Sequence, residues 1–244
     1  MSLLLSTDSF TSHPGAEHHS VPFFGRALEE YAQFFSLDPA ADLRGRTVLD
    51  VAAGPSSFTA EACALGCDAV AVDPLYGRSA DALATYVAID YREVFARLRA
   101  RPSLTRFRAF ASVNEAEARR RAAAARFLHD YAERFVLGRY VGAELPELPF
   151  ADGAFDLVLC AHFLFQHEAR FDFAFHVAAC RELARVSRGE ARVHPVSGPG
   201  GKPYPKLGDL LDELARLGVA GELRESDDSL ATGEDAMLVL RRAE

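Results

Sequence analysis

Apolar and polar positions along this chain switch between two periods, and the switches mark its elements. Residues 1–20 are rich in Ser, Thr, His, Pro and Gly, show no period, and read as a mobile or ligand-ordered arm. From there Phe24, Ala27, Leu28, Tyr31 and Phe35 recur at helical spacing until Asp38-Pro39 breaks the pattern. Thr47-Val48-Leu49-Asp50-Val51 reads as a short buried strand. It runs into the small-residue turn Ala52-Ala53-Gly54-Pro55-Ser56-Ser57, then a helix through Phe58, Ala62 and Leu65 that Gly66 stops. Ala69-Val70-Ala71-Val72 is a second buried strand, closed by Asp73 and the helix-excluding Pro74. Strand, turn, helix and a strand ending in an acid make a nucleotide-binding βαβ unit.

The expected order is then interrupted. A plain βαβ step takes roughly 30 residues, whereas the next strand-like segment, at Tyr140-Val141, lies about twice that far on. Between them Tyr91, Val94, Phe95 and Leu98 mark a helix face that Pro102 ends. Ser112-Val113-Asn114-Glu115 is a capping-box signature for a second long helix through Ala124, Phe127, Leu128, Tyr131 and Phe135. Residues 77–139 therefore read as a helical insertion and a lid candidate, with a dimerisation arm as the rival reading.

The regular order resumes with a turn over 148–155 and the most hydrophobic strand, 156–160. A helix over about 171–186 is stopped near Gly189, and 190–196 reads as a strand. Leu207, Leu210, Leu211, Leu214 and Leu217 mark a last helix, ended by Gly218. Strands over 222–225 and 236–240 follow, bringing an antiparallel edge. The expected fold class is α/β: one Rossmann-like, doubly wound, mostly parallel sheet with an antiparallel edge strand and a helical insertion. It forms a single domain over 1–244, with 1–45 as an N-terminal arm and helix.

Composition narrows the partners. The 244 residues carry a net charge of −8, which disfavours a polyanionic partner. The insertion runs against this average, with 13 Arg against 7 Asp and Glu. Those arginines spread around the helices as on a solvated face, so a nucleic acid is not expected, while an acidic small acceptor is compatible. The four cysteines show no closely paired spacing; Cys63 and Cys67 lack a second ligand pair, and no metal is expected there or at His13, His18 and His19. The first residues lack a basic region ahead of their short Leu run and no apolar run reaches membrane length, so a cytoplasmic protein without membrane contact is expected.

The turn itself selects the ligand class. A nicotinamide fingerprint places glycines at its first, third and sixth positions, which here are Ala52, Gly54 and Ser57. One glycine of three suits a ligand without a pyrophosphate. The run 48–54 resembles the first motif of class I S-adenosylmethionine-dependent methyltransferases, acid-x-Gly-x-Gly-x-Gly, with Ala52 and Ser56 at glycine positions. Asp73 matches the acid ending their second strand. Leu148-Pro149-Phe150, Asp152-Gly153 and 155–160 are similar to the approach to their fourth strand, notably in the small-molecule branch that includes quinone methyltransferases. The resemblance covers 47–73 and 140–196.

It implies S-adenosylmethionine as cofactor and a small-molecule acceptor. The turn Ala52-Ala53-Gly54 would lay its amides near the methionine part, and the helix start at Ser56 would favour the carboxylate. Asp50 would hold the ammonium side and Asp73 the ribose hydroxyls, with Pro74 and Cys160 completing the pocket. Glu144 falls where the family's adenine-binding acid follows the third strand, and the Leu145 amide would face the ring. Methyl transfer needs in-line positioning above all. His162, just past the fourth strand, is the candidate general base, with Gln166 and His167 beside it and Tyr86 or Tyr91 as further candidates from the insertion. The alternatives are a non-catalytic cofactor-binding protein of the same fold and a nicotinamide-dependent oxidoreductase.

Overall fold

The structure, a computed structural model, describes residues 21–100, 110–198, 201–226 and 236–243. The arm over 1–20, with its three histidines, lies outside the described residues. The elements run α1 (Leu28–Phe35), α2 (Pro39–Asp42), β1 (Thr47–Val51), α3 (Phe58–Ala64), β2 (Asp68–Val72), α4 (Ala80–Ala100) and α5 (Val113–Arg134). There follow β3 (Tyr140–Val141), β4 (Phe155–Ala161), α6 (Phe173–Val186), β5 (Ser187–His194), α7 (Leu207–Arg216), β6 (Val219–Glu225) and β7 (Ala236–Arg242).

The seven strands form one sheet in the order β3-β2-β1-β4-β5-β7-β6. Pairing is parallel from β3 through β5, and β7 is antiparallel to both β5 and β6. The antiparallel pairing expected at the edge is thus present, with β7 one place in and β6 outermost. The fold is a Rossmann-like mixed sheet with a helical insertion.

Strand alternation divides the core into two layers. Leu49, Val51, Val158, Cys160, Ala191 and Val193 pack against α6 and α7 on one face. Val48, Leu157, Leu159 and Val239 pack against α1 and α3 on the other. Asp50, at an alternate position to Leu49 and Val51, faces α1. A third cluster joins α4 and α5 through Leu83, Tyr91, Phe95, Phe127 and Tyr131 to Phe23, Tyr76 and Tyr140, at the β2–β3 end of the sheet.

One expected boundary moves. Gly189, read as a helix stop, lies inside β5, which begins at Ser187 directly after α6. A Cβ on Gly189 would sit 2.4 Å from the Asp156 carbonyl oxygen, and the β4–β5 register shifts at this point. Glycine permits a bulge here rather than ending the helix. The expected caps also form in part. The Ser112 hydroxyl accepts the Glu115 N–H at 3.1 Å, whereas the Glu115 carboxylate reaches back to the Ala111 N–H at 2.9 Å, one residue beyond the usual box.

Candidate functional site

The carboxyl ends of β1, β2, β3 and β4 face a cavity of about 670 Å³. The chain leaves β1 for β2 on one side, while β4 lies on the other, so this is the topological switch point where doubly wound sheets take ligands. The volume falls within the usual range for small-molecule sites, about 300–1,000 Å³.

Of the residues singled out in the sequence, Ala52, Gly54, Asp73, Pro74, Glu144, Leu145 and His162 line this cavity. Asp50, Ala53, Ser56 and Cys160 do not. Asp50 is fully buried, and its two carboxylate oxygens accept the Tyr31 hydroxyl at 3.0 and 3.1 Å. Burial drives its pKa well above the ordinary carboxylate value, opposed by the Tyr31 bond and reinforced by Asp73. The Ala53 N–H donates to the Val72 carbonyl at 3.0 Å, and Cys160 is a core thiol whose pKa is pushed up by burial. Ser56 donates from its hydroxyl to the Arg26 carbonyl at 2.7 Å, and the Ser57 N–H reaches the same oxygen at 3.0 Å. That carbonyl therefore closes the start of α3, where the sequence suggested a place for a ligand carboxylate.

The turn after β1 is held from three sides. Asp73 accepts the Gly54 N–H at 3.0 Å on one oxygen and the Leu75 N–H at 2.9 Å on the other. The Tyr76 hydroxyl donates to the Gly54 carbonyl at 2.6 Å. Ala52 adopts φ +56°, the left-handed region that the glycine of the usual motif enters at lower cost.

Segment 21–27 forms the roof of this turn. Gly25 lies so close that a Cβ there would stand 2.1 Å from the carbonyl carbon and oxygen of Pro55 and 2.3 Å from the Ser56 nitrogen. Helix α4 grips the same segment: Asp90 accepts the Phe23 N–H at 2.6 Å and the Tyr91 hydroxyl accepts the Gly25 N–H at 3.2 Å. From α5, Arg120 pairs with the buried Glu30 at 2.6 Å. The insertion reaches the cavity wall through Arg78 and Val94, and through Asp90 and Tyr91 it secures the roof.

The opposite wall follows β4. His162 takes φ +52° and donates its N–H to the His194 carbonyl at 2.6 Å. Its Nδ1 is buried without a hydrogen-bond partner. Burial, then the positive charge of Arg26, lowers its pKa well below the usual histidine value, so the ring is neutral. His167, also on the wall, is lowered to about 4, mainly by burial. Phe163, Phe171 and Phe175 make an aromatic wall beside them, with Phe171 stacked on Phe175 at 4.2 Å between centroids. Tyr91 supports the roof, and Tyr86 lies under the Arg78 guanidinium at 5.4 Å. Among the described residues no group of three or more His, Cys, Asp or Glu is arranged to hold a metal ion.

Three contributors stand outside the candidate site residues of the sequence. Arg26 is the isolated cation ending the apolar run 21–25, a visible signal. Tyr31 was legible only as a core position of its helix. Tyr76 carries no local pattern that marks it.

No protein-family profile matches the chain. It is 27% identical over 220 residues to an uncharacterised protein of Methanocaldococcus jannaschii, covering 89% of this chain and 95% of that one. Among solved structures it is similar to a TehB-like SAM-dependent methyltransferase from Corynebacterium glutamicum, at 17% identity and a TM-score of 0.47. That overlap covers 88% of this chain and 97% of the other. It is also similar to a magnesium protoporphyrin IX methyltransferase from Synechocystis, at 14% identity and a TM-score of 0.47, covering 88% and 78%. At these scores the overlaps are loose. Among the described residues no helix is long and apolar enough to cross a membrane.

Proposed function

We propose that this chain is an S-adenosylmethionine-dependent methyltransferase acting on a small-molecule acceptor. The observation that carries this reading is how the turn after β1 uses its own amides. The N–H groups of Ala53, Gly54 and Ser57 all donate within the protein, to Val72, Asp73 and Arg26. A dinucleotide pyrophosphate needs such amides free, which disfavours the oxidoreductase alternative. A nucleoside without phosphates needs a carboxylate for its ribose, and Asp73 stands on the wall.

The residues present fit this cofactor. Asp73 brings to the cavity wall the carboxylate that a ribose diol needs, with its oxygens oriented by the Gly54 and Leu75 N–H groups. Glu144 and the Leu145 backbone line the end of the cavity beyond β3, suited to an adenine amine and ring. Bound S-adenosylmethionine supplies an electrophilic methyl group on its sulfonium. The chain's task is then to hold an acceptor in line and keep water out.

The aromatic wall of Phe163, Phe171 and Phe175 suits a flat acceptor, in line with the quinone-methyltransferase-like run over 148–160. The neutral ring of His162, on the cavity wall, accepts a hydrogen bond from the acceptor. Its depressed pKa makes it a weak base, so it orients a hydroxyl and takes the proton only as transfer makes that group acidic. The insertion over 77–139 acts as a packed wall and roof support more than a swinging lid. Incubation of the protein with methyl-tritiated S-adenosylmethionine and a panel of phenols, catechols and hydroquinones tests the reading. Label should pass to at least one aromatic acceptor; its absence from all of them, with cofactor bound, would favour the non-catalytic alternative.

A further inference from the structure

We propose that the guanidinium of Arg26 is the cavity's receptor for a carboxylate, a role that deepens the methyltransferase reading and rests on it only for the identity of the ligand. Arg26 lies on the cavity wall, and its side chain has neither a hydrogen bond nor an ion pair among the described residues. Its Nε is buried without a partner. The side chain is half-buried on the cavity wall, so its guanidinium is held at the cavity without a protein anion beside it, an arrangement a ligand anion would complete.

The surroundings explain why no protein group does so. The carboxylate that acts on it is Glu30, whose oxygens are committed to Arg120 at 2.6 Å and to the Ala27 N–H at 3.2 Å. Arg78, the other arginine on the wall, lies over Tyr86. Aromatic faces flank Arg26, Phe24 at 6.0 Å and Phe34 at 5.9 Å from the guanidinium carbon. These hold the fork in place without consuming its donors. Burial and the nearby Arg120 lower its pKa to about 10, which leaves it charged at neutral pH. On the same wall, His162 and His167 are neutral and bring no competing charge.

The position adds a second reason. The Arg26 carbonyl occupies the start of α3, accepting from Ser56 and Ser57. The residue that closes the backbone site for an anion therefore brings a cationic side chain to the same cavity. Bidentate recognition of a planar carboxylate is what a fixed guanidinium does best. Two carboxylates are candidates for it: the one on the methionyl end of the cofactor, or one carried by the acceptor.

Calorimetric titration of the wild-type chain, Arg26→Gln and Arg26→Lys separates the sources. The probes are S-adenosylhomocysteine, 5′-methylthioadenosine, which lacks the carboxylate, and the pair benzoate and benzamide. If the anchor serves the cofactor, Arg26→Gln weakens S-adenosylhomocysteine by at least about tenfold and leaves 5′-methylthioadenosine unchanged. If it serves the acceptor, both nucleosides bind as before, and a wild-type preference for benzoate over benzamide disappears in Arg26→Gln. Arg26→Lys, which keeps the charge without the fork, should fall between, and its binding reports that the fold survives. A variant pair that shifts neither comparison overturns the proposal, as does a wild-type protein indifferent to both carboxylates. Failure of the methyltransferase reading looks different: neither nucleoside binds the wild type, and the benzoate arm alone decides on Arg26.

Discussion

The carboxylate of Asp73, at the end of β2, accepts the N–H of Gly54, in the turn after β1, at 3.0 Å. This bond ties together the two strand ends that define the candidate cofactor site. Asp73 is therefore both a wall of the cavity and the brace of its turn. Asp73→Ala should lower the affinity for S-adenosylhomocysteine by at least about tenfold, from the loss of charge-assisted hydrogen bonds worth roughly 1.5–3 kcal/mol each. Calorimetry together with a circular-dichroism check of folding measures this. An unchanged dissociation constant in a folded variant would place the adenosine elsewhere.

Gly25 has no room for a side chain against the backbone of Pro55 and Ser56. Backbone on both sides cannot rotate away as a flexible side chain would. Gly25→Ala should destabilise the fold by about 1–3 kcal/mol, in the range of overpacked sites, and loosen ligand binding by lifting the roof. Urea unfolding reads the first effect; a variant as stable as the wild type would mean that segment 21–27 is not seated on the turn.

Asp50 gives a pH signature. Its folded pKa is raised, chiefly by burial, so the folded chain holds a proton that the unfolded chain releases above its ordinary pKa of about 3.9. Stability from this group is present at acid pH and lost as pH rises toward the folded pKa. Asp50→Asn should therefore raise the melting temperature near pH 7 to 8, and the gain should shrink toward pH 4. A loss at neutral pH would show that an ionised Asp50 is stabilised by something beyond Tyr31.

The sign for His162 follows the same linkage with the opposite kind of group. Its folded pKa is depressed by burial, so below the unfolded value of about 6.5 the unfolded chain takes up a proton that the folded chain refuses. Stability falls as pH drops through that range, and His162→Phe should lessen the fall. In a histidine-observed NMR titration the His162 ring should stay neutral from pH 8 to 5.5; an inflection near 6.5 would contradict the burial described.

Much of the fold was legible from period and punctuation. The run 47–51, the acid-capped second strand and the insertion each obey a local rule, and β1 matched its expected span residue for residue. Gly189 misled because a helix stop and a bulge in a strand both favour glycine, and only the approach to Asp156 tells them apart. At the site, Asp73, Glu144 and His162 reach the cavity because they follow strand ends. Asp50 does not, since it lies within β1, where alternation turns it toward Tyr31. Arg26 stands out as the cation that ends the run 21–25, but Tyr76 depends on a contact across 22 residues of sequence, which no local pattern encodes.

On the proposed reading this cavity takes the nucleoside of S-adenosylmethionine and not a dinucleotide. Calorimetric titration of the wild-type chain with S-adenosylhomocysteine, and separately with NADH, tests it most directly. A saturable single-site isotherm is expected for S-adenosylhomocysteine, and no heat of binding for NADH. Binding of NADH with none of S-adenosylhomocysteine would contradict it.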